Sequence, residues 1–287
     1  MPELFDPVQA EQQFGLMLTT VEESIKISDS STYADCFRKK DLRRTLIVLF
    51  SFFMQPWSGV AFIASYSTYY YELAGFSTHR SYQLSCGAQA LSIFGVIVSW
   101  FIFDKFGRRP LILYGMSCLT ILNLIVSAAG TATDNMTSMT VACAFMVMYN
   151  FFYNVSIGPL AYIFAAEVSS VSLRAKTVAV GSIVNSAFWC MWSFVLPYMF
   201  NPDQANMGSK INFIFTGFSL MSIFVFYFYQ PETAGRSFED IDEMFAAKIP
   251  ARKWKNYETE AMTMNKKAYD DMKGVNVDHA ENTEDVV

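Results

Sequence analysis

The polar residues with the most chemistry to offer lie between Asn150 and Lys176, where Asn150 is followed by FFYNVSIGPLAYIFAAEVSSVSLRAK. Asn150 and Asn154 stand one helical turn apart inside an apolar stretch. Gly158 and Pro159 interrupt its regularity, and Glu167 closes it ahead of a short Ser/Val turn, Arg174 and Lys176. In hydrocarbon an unpaired amide costs several kcal/mol, roughly, so buried asparagines must be put to use. They either join helices or bind the hydroxyl groups of a polar solute, and these residues alone leave both uses open.

Charged groups form a second set. Asp104-Lys105-Phe106-Gly107-Arg108-Arg109 is a short loop in which Gly107 permits a tight reversal, while the arginines can fork carboxylates or the exposed carbonyls of a helix end. Glu167 and Arg174 are seven residues apart across another loop, and Glu232 lies in Pro231-Glu-Thr-Ala-Gly-Arg236, where Pro231 stops a helix. Together they suit an ion-pair network that holds one membrane face shut in one state and separates in another, or static glue.

Other chemistries are poorly served. The five cysteines include no CxxC pair, and the two histidines, His79 and His279, fall in a loop and the C-terminal tail. No metal site, cofactor site, phosphate loop or nucleophile–base pair is expected, and an enzyme is the weakest reading. The net charge of -5 comes from loops and tails and points to no nucleic-acid partner.

What must position these residues is a membrane bundle. Of 287 residues 53% are hydrophobic and mean hydropathy is +0.25, too apolar for a soluble domain of this size. Six apolar segments approach the roughly 20 residues that a membrane-spanning helix needs, at about 46–66, 82–103, 110–129, 139–166, 177–200 and 211–229. The fold expected is therefore an all-α membrane protein with a 45–230 bundle. A cytoplasmic helical linker (1–44) precedes it; a turn with an amphipathic helix (231–256) and a disordered tail (257–287) follow. Of 21 Lys and Arg, only Arg80 and Lys210 fall in the loops after the first, third and fifth segments, so both termini are expected to be cytoplasmic. The sequon Asn135-Met136-Thr137 is then outside. Every Lys, Arg, Asp and Glu avoids the span centres, where a charge costs about 2.5 to 3.5 kcal/mol on the mildest scale. Amides, hydroxyls and aromatic rings remain, a chemistry better matched to a neutral polyhydroxylated ligand than to an ion.

DKFGRR, AEVSSVSLRAK, PETAGRSFEDIDEMF and QPWSGVAFIASYSTYYYELAG together resemble, in order and spacing, the C-terminal half of the sugar porter branch of the major facilitator superfamily. Three stretches, SYSTYYYELAG, PYMFNPDQANMGSKINFIFTG and PETAGRSFEDIDEMFAAKIPARK, are similar to fungal α-glucoside permeases. The resemblance implies six of twelve spans, one half of the 3+3 inverted-repeat fold, with sugar bound at the midplane between two halves. Carried over, Gln55, Ser58 and Gly59 correspond to a QQxSG pattern, but its second glutamine is Pro56 here and a following asparagine is Ala61. Asn154 falls at a polar contact position, Gly158 and Pro159 at a helix break, Asn185 at a later asparagine, and Tyr162 where a tryptophan is usual. Gln55 and Tyr66 share a helix face, as do Asn185 and Trp189. Asp104, Gly107, Arg108, Arg109, Glu167, Arg174 and Glu232 correspond to a cytoplasmic gate.

The implied function is sugar transport, by proton symport in a full-length plasma-membrane carrier whose N-terminal half this chain needs. The alternatives are a non-transporting sensor or regulatory partner, and an inactive truncated carrier.

Overall fold

The computed structural model describes residues 31–131, 136–201, 203–260, 262 and 263, with 15, 18 and 19. The expected N-terminal helix around Glu11, Glu22 and Glu23, the acceptor Asn135, the side chain of Asp104 and the tail beyond 263 lie outside the described residues. Helices make up the regular structure described, with no strand among the described residues. Six are long and apolar enough to cross a bilayer: span 1, Leu42–Leu73; span 2, Thr78–Phe103; span 3, Arg108–Thr131; span 4, Met136–Val168; span 5, Arg174–Phe200; and span 6, Gly208–Tyr229.

Span 1 is the axis of the bundle. In the most apolar window of each span, 72% of span 1 is buried, against 28% of span 2 and 17% of span 5. Phe52, Met54, Phe62 and Ile63 are the buried centre of span 1, whereas Ile183 and Phe194 of span 5 and Phe94 and Trp100 of span 2 are exposed. Those outward faces are apolar, so they require lipid or another protein surface.

Two spans are broken, and the breaks have identifiable causes. Pro56 has no N–H, so the carbonyl of Phe52, four residues earlier, loses its helical donor. The chain widens into a π-helical segment at Pro56–Val60, where Gly59 adopts φ +108°. A Cβ there would come within 2.8 Å of the Asn123 amide, so the backbone approach itself also selects glycine. In span 4, Ser156 leaves helical geometry at φ -117°, ψ -85°, and the second helical piece, Ile157–Val168, carries Pro159 in its first turn, with no N–H to donate to Val155. Between spans 1 and 5, Gly181 lets the Phe52 ring approach so closely that a Cβ would sit 2.3 Å from it.

A small cap covers one end of the bundle. Phe238–Ala246 forms a helix that begins on a Ser237–Asp240 capping box, and Ala251–Asn256 adds a 3-10 turn. Ile241, Met244, Phe245 and Trp254 pack with Ile47, Val48, Phe164 and Val168 as a second apolar cluster. Arg44 anchors the helix through an ion pair to Asp242 and lies over the Phe245 ring, 4.6 Å from its centroid. Burial raises the Asp240 carboxyl, but hydrogen bonds from Thr259 and Ser237, with the Arg236 charge, hold it below its ordinary value.

Candidate functional site

The two helix breaks meet. Gln55 ends the first half of span 1, where its Nε2 donates 2.9 Å to the carbonyl of Gly158 at the start of the second piece of span 4. Its Oε1 accepts from Asn185 Nδ2 of span 5, also at 2.9 Å. Asn185 Nδ2 further donates 3.0 Å to the Phe52 carbonyl, the acceptor that Pro56 deprived of its backbone partner. The proline explains the asparagine: a carbonyl freed in a membrane interior needs a donor, and Asn185 supplies it from another helix. Gln55 and Asn185 are 4% and 8% exposed, so their amides close helix breaks rather than face open solvent.

Aromatic rings line the same helices. Trp189 is one turn beyond Asn185 and half-buried against the core. Trp57, inside the break, contacts Phe53, Phe188, Trp192 and Phe218 at centroid distances of 4.2–5.9 Å. Tyr66 lies past the break, stacked on Phe62 at 5.8 Å and tilted against Phe200 at 5.2 Å. Tyr162 meets Phe52 edge-on at 5.0 Å and is 51% exposed. Gln55 and Asn185 are thus in direct contact, with Trp189 adjacent and Tyr66 farther along span 1.

Asn154 is placed differently. Its Nδ2 donates to the Asn150 carbonyl at 2.8 Å and to Asn150 Oδ1 at 3.3 Å, a bond within its own helix. It packs beside Gly95 of span 2, where a Cβ would sit 3.4 Å from the Asn154 Cβ.

A polar knot that the residue pattern did not single out holds the span 1 break. The Ser58 carbonyl accepts from Asn123 Nδ2 at 2.6 Å and Tyr149 Oη at 2.9 Å, with Ser219 Oγ at 3.4 Å. Ser58 Oγ donates to the Gln55 carbonyl at 2.7 Å. Spans 3, 4 and 6 therefore converge on one carbonyl. The only sequence signal was the Pro56…Gly59 spacing, which names no partner.

The charged loops form one cluster at the end that carries the cap. Arg108 pairs with Glu167 through Nη2 at 2.9 Å and Nε at 3.1 Å. Thr233 Oγ1 donates to the other Glu167 oxygen at 2.5 Å. Glu232 accepts from the backbone N–H of Arg108 at 2.9 Å and of Arg109 at 3.2 Å, capping the first turn of span 3. Gly107, at φ +81°, lets that carboxylate approach: a Cβ would stand 2.7 Å from Glu232 Oε2. Arg109 Nη2 donates 2.7 Å to the Tyr227 carbonyl. Within the network expected of these loops, Arg174 makes no ion pair with Glu167 among the described residues. It lies over the Phe238 ring of the cap, 4.2 Å from the centroid, and its buried Nε and Nη2 have no partner among the described residues. Glu167 is engaged by Arg108 instead.

Comparison with known proteins agrees with this architecture. Residues 6–245 match the family model described as "Sugar (and other) transporter". The chain is 31% identical over 237 residues to a general alpha-glucoside permease of Saccharomyces cerevisiae, a match covering 83% of this chain and 38% of that protein. It is 31% identical over 279 residues to maltose permease MAL31 of the same yeast, covering 94% of this chain and 45% of the permease. The chain thus spans less than half the length of these relatives. Among solved structures, the proton:xylose symporter XylE bound to 6-bromo-6-deoxy-D-glucose superposes with a TM-score of 0.67 at 17% identity, over 80% of this chain and 49% of that one. That likeness gives the fold, a six-helix half of the major facilitator type.

Proposed function

Because the chain belongs to the sugar (and other) transporter family, a family of transporters rather than enzymes, we propose that it forms the C-terminal half of a carrier for a neutral sugar. The observation that carries this reading is the amide pair Gln55 and Asn185, set at the meeting of two helix breaks in a bundle whose span centres hold no charged side chain. Breaking a helix frees backbone groups at membrane depth, and in transporters such breaks are tolerated where they line a cavity between halves. Gln55, Asn185 and Asn154 would offer amides to sugar hydroxyls, and Trp189 and Tyr66 rings to sugar C–H faces. The closed amide bonds then describe the empty wall, which exchanges helix-to-helix bonds for sugar bonds when substrate arrives.

The relatives are named for α-glucosides and maltose, so maltose is the first substrate to test. Proton coupling is proposed for the complete carrier, with the proton-accepting acid in the other half, since the proposed span centres here hold no Asp or Glu. The outward faces of spans 2 and 5 would receive that second half. The basic loops would face the cytoplasm of a plasma-membrane carrier, both termini included, because Lys and Arg concentrate on that side.

Arg108, Glu167, Gly107, Arg109 and Glu232 would act as the cytoplasmic gate, with Asp104 beside them and Arg174 holding the cap. Side chains of Arg108 and Glu167 are 16% and 21% exposed, so their pair is partly screened and worth about 1 kcal/mol. Arg108→Ala is therefore expected to raise the labelling rate of a cysteine introduced on the cytoplasmic side about fivefold. Unchanged labelling would reduce the pair to a static tie.

The function is tested by uptake of labelled maltose in transport-deficient cells expressing this chain with and without an N-terminal six-span half. Saturable uptake is expected with both halves and none with this chain alone. No uptake in either condition, with both halves at the cell surface, would favour a sensor or an inactive carrier.

A further inference from the structure

Between the charged end of span 1 and the same end of span 6 lies a crevice of about 620 Å³ that neither the amide wall nor the gate uses. Its floor and sides are apolar, formed by Leu46 and Phe50 of span 1 and Phe226 of span 6 among others. Leu46 is 53% exposed, so the crevice opens on the outer surface of the bundle. Lys39 and Arg43 line it as well, with the buried Gln230 beside them and no Asp or Glu along its walls.

Among the described residues these polar groups face no acid, and Lys40, outside the crevice wall, also has none. In the basic cluster of Arg38, Lys39, Lys40, Arg43 and Arg44, Arg38 pairs with Asp35 and Arg44 with Asp242. Arg43 donates only to a neutral carbonyl, that of Ile249, and no carboxylate pairs with Lys39 among the described residues. Gln230 is 1% exposed and its Nε2 has no hydrogen-bond partner among the described residues. A buried amide donor without an acceptor costs free energy unless a ligand supplies one. Two cations and an unmet donor above an apolar slot define an amphipathic site: an anionic oxygen cluster at the mouth, a hydrocarbon chain beneath it.

We propose that this crevice binds one anionic phospholipid of the adjoining leaflet, its phosphate between Lys39 and Arg43 with Gln230 as a third donor. One acyl chain would run along Leu46, Phe50 and Phe226. Basic pockets between membrane helices are suited to such headgroups. Because Arg43 also reaches Ile249, the lipid would join spans 1 and 6 to the cap.

The test is native mass spectrometry of the full 287-residue chain released from nanodiscs of equal phosphatidylserine and phosphatidylcholine with distinguishable acyl masses. The chain should retain one phosphatidylserine in about thirtyfold preference, the effect expected of two lipid-facing cations, and Lys39→Glu, which cancels the charge of Arg43, should abolish that preference. Leu46→Trp, which fills the slot without changing charge, should lower retention of either lipid several-fold; a variant that holds phosphatidylserine as well as the native chain would overturn the slot. Lys40→Glu is the control, since Lys40 belongs to the basic cluster but not to the crevice wall. An equal loss with Lys40→Glu would reduce the site to a diffuse basic surface. Displacement of the lipid by millimolar glycerophosphate would assign the mouth to soluble phosphates. If Lys39→Glu left lipid retention intact but weakened capture of a co-expressed N-terminal half, the occupant would be protein.

Discussion

Asn185→Leu is expected to destabilise the bundle by about 2–4 kcal/mol, because it strands two acceptors at once, the Phe52 carbonyl and Gln55 Oε1. Interhelical hydrogen bonds in membranes average nearer 0.6 kcal/mol, since the unbonded state usually finds another partner. Phe52 has lost one: Pro56 removed its donor four residues on, and the site is 8% exposed at Asn185, too dry for water to replace the amide freely. The upper range therefore applies. Unfolding in mixed detergent micelles measures it, and Asn185→Gln should recover part of the loss. A change below about 0.5 kcal/mol would mean that the Phe52 carbonyl is satisfied in some other way.

Gly59→Ala is the second large effect. The substitution places a side chain at φ +108° and drives its Cβ to 2.8 Å from Asn123 Nδ2 and 2.9 Å from Oδ1. The backbone conformation alone costs about 1–3 kcal/mol in a residue other than glycine. Relief by moving Asn123 breaks its 2.6 Å bond to the Ser58 carbonyl, adding about 1 kcal/mol. The expected result is a loss of about 2–4 kcal/mol in the same unfolding assay. Asn123→Ala alone should cost less, because Tyr149 still donates to that carbonyl. If Gly59→Ala were neutral, the break would be a soft feature that span 1 can straighten.

These two positions show what a single sequence does and does not disclose. Gly158 and Pro159 announce a helix break because one lacks a side chain and the other an N–H, both properties of the residue itself, whereas the break at Pro56 and Gly59 emerges from the structure. The apolar runs announce six spans because bilayer thickness sets their length. What closes the break comes from elsewhere. Asn185 is 130 residues from Gln55, and Asn123 and Tyr149 are 65 and 91 from Ser58. Helical periodicity can put each polar residue on a face of its own helix, yet the choice of facing helix depends on packing that no local pattern encodes.

The loops teach the same lesson with charges. Glu167 can be grouped from the sequence with Arg174, Arg108 and Arg109 in one network, but only the fold selects Arg108, 59 residues away, to hold the carboxylate. A turn brings chain ends together without aiming their side chains. Span 5 starts at Arg174 and directs it toward the Phe238 ring of the cap, a contact invisible until the cap is folded against the bundle. Asn154 offers the converse case. Its spacing from Asn150 was apparent, and the two bond within one helix, so any sugar contact there must compete with a partner one turn away.

If the Gln55–Asn185 wall binds sugar hydroxyls, the binding of a series of deoxymaltoses to the two-half carrier will reveal it. With the native chain, removal of the hydroxyl that meets Gln55 should weaken binding about tenfold, close to one hydrogen bond. With Gln55→Ala, maltose itself should bind about tenfold more weakly and that same deoxymaltose no more weakly than maltose. If every hydroxyl deletion had the same effect in both proteins, Gln55 would touch no sugar and the amide wall would serve only to hold helices together.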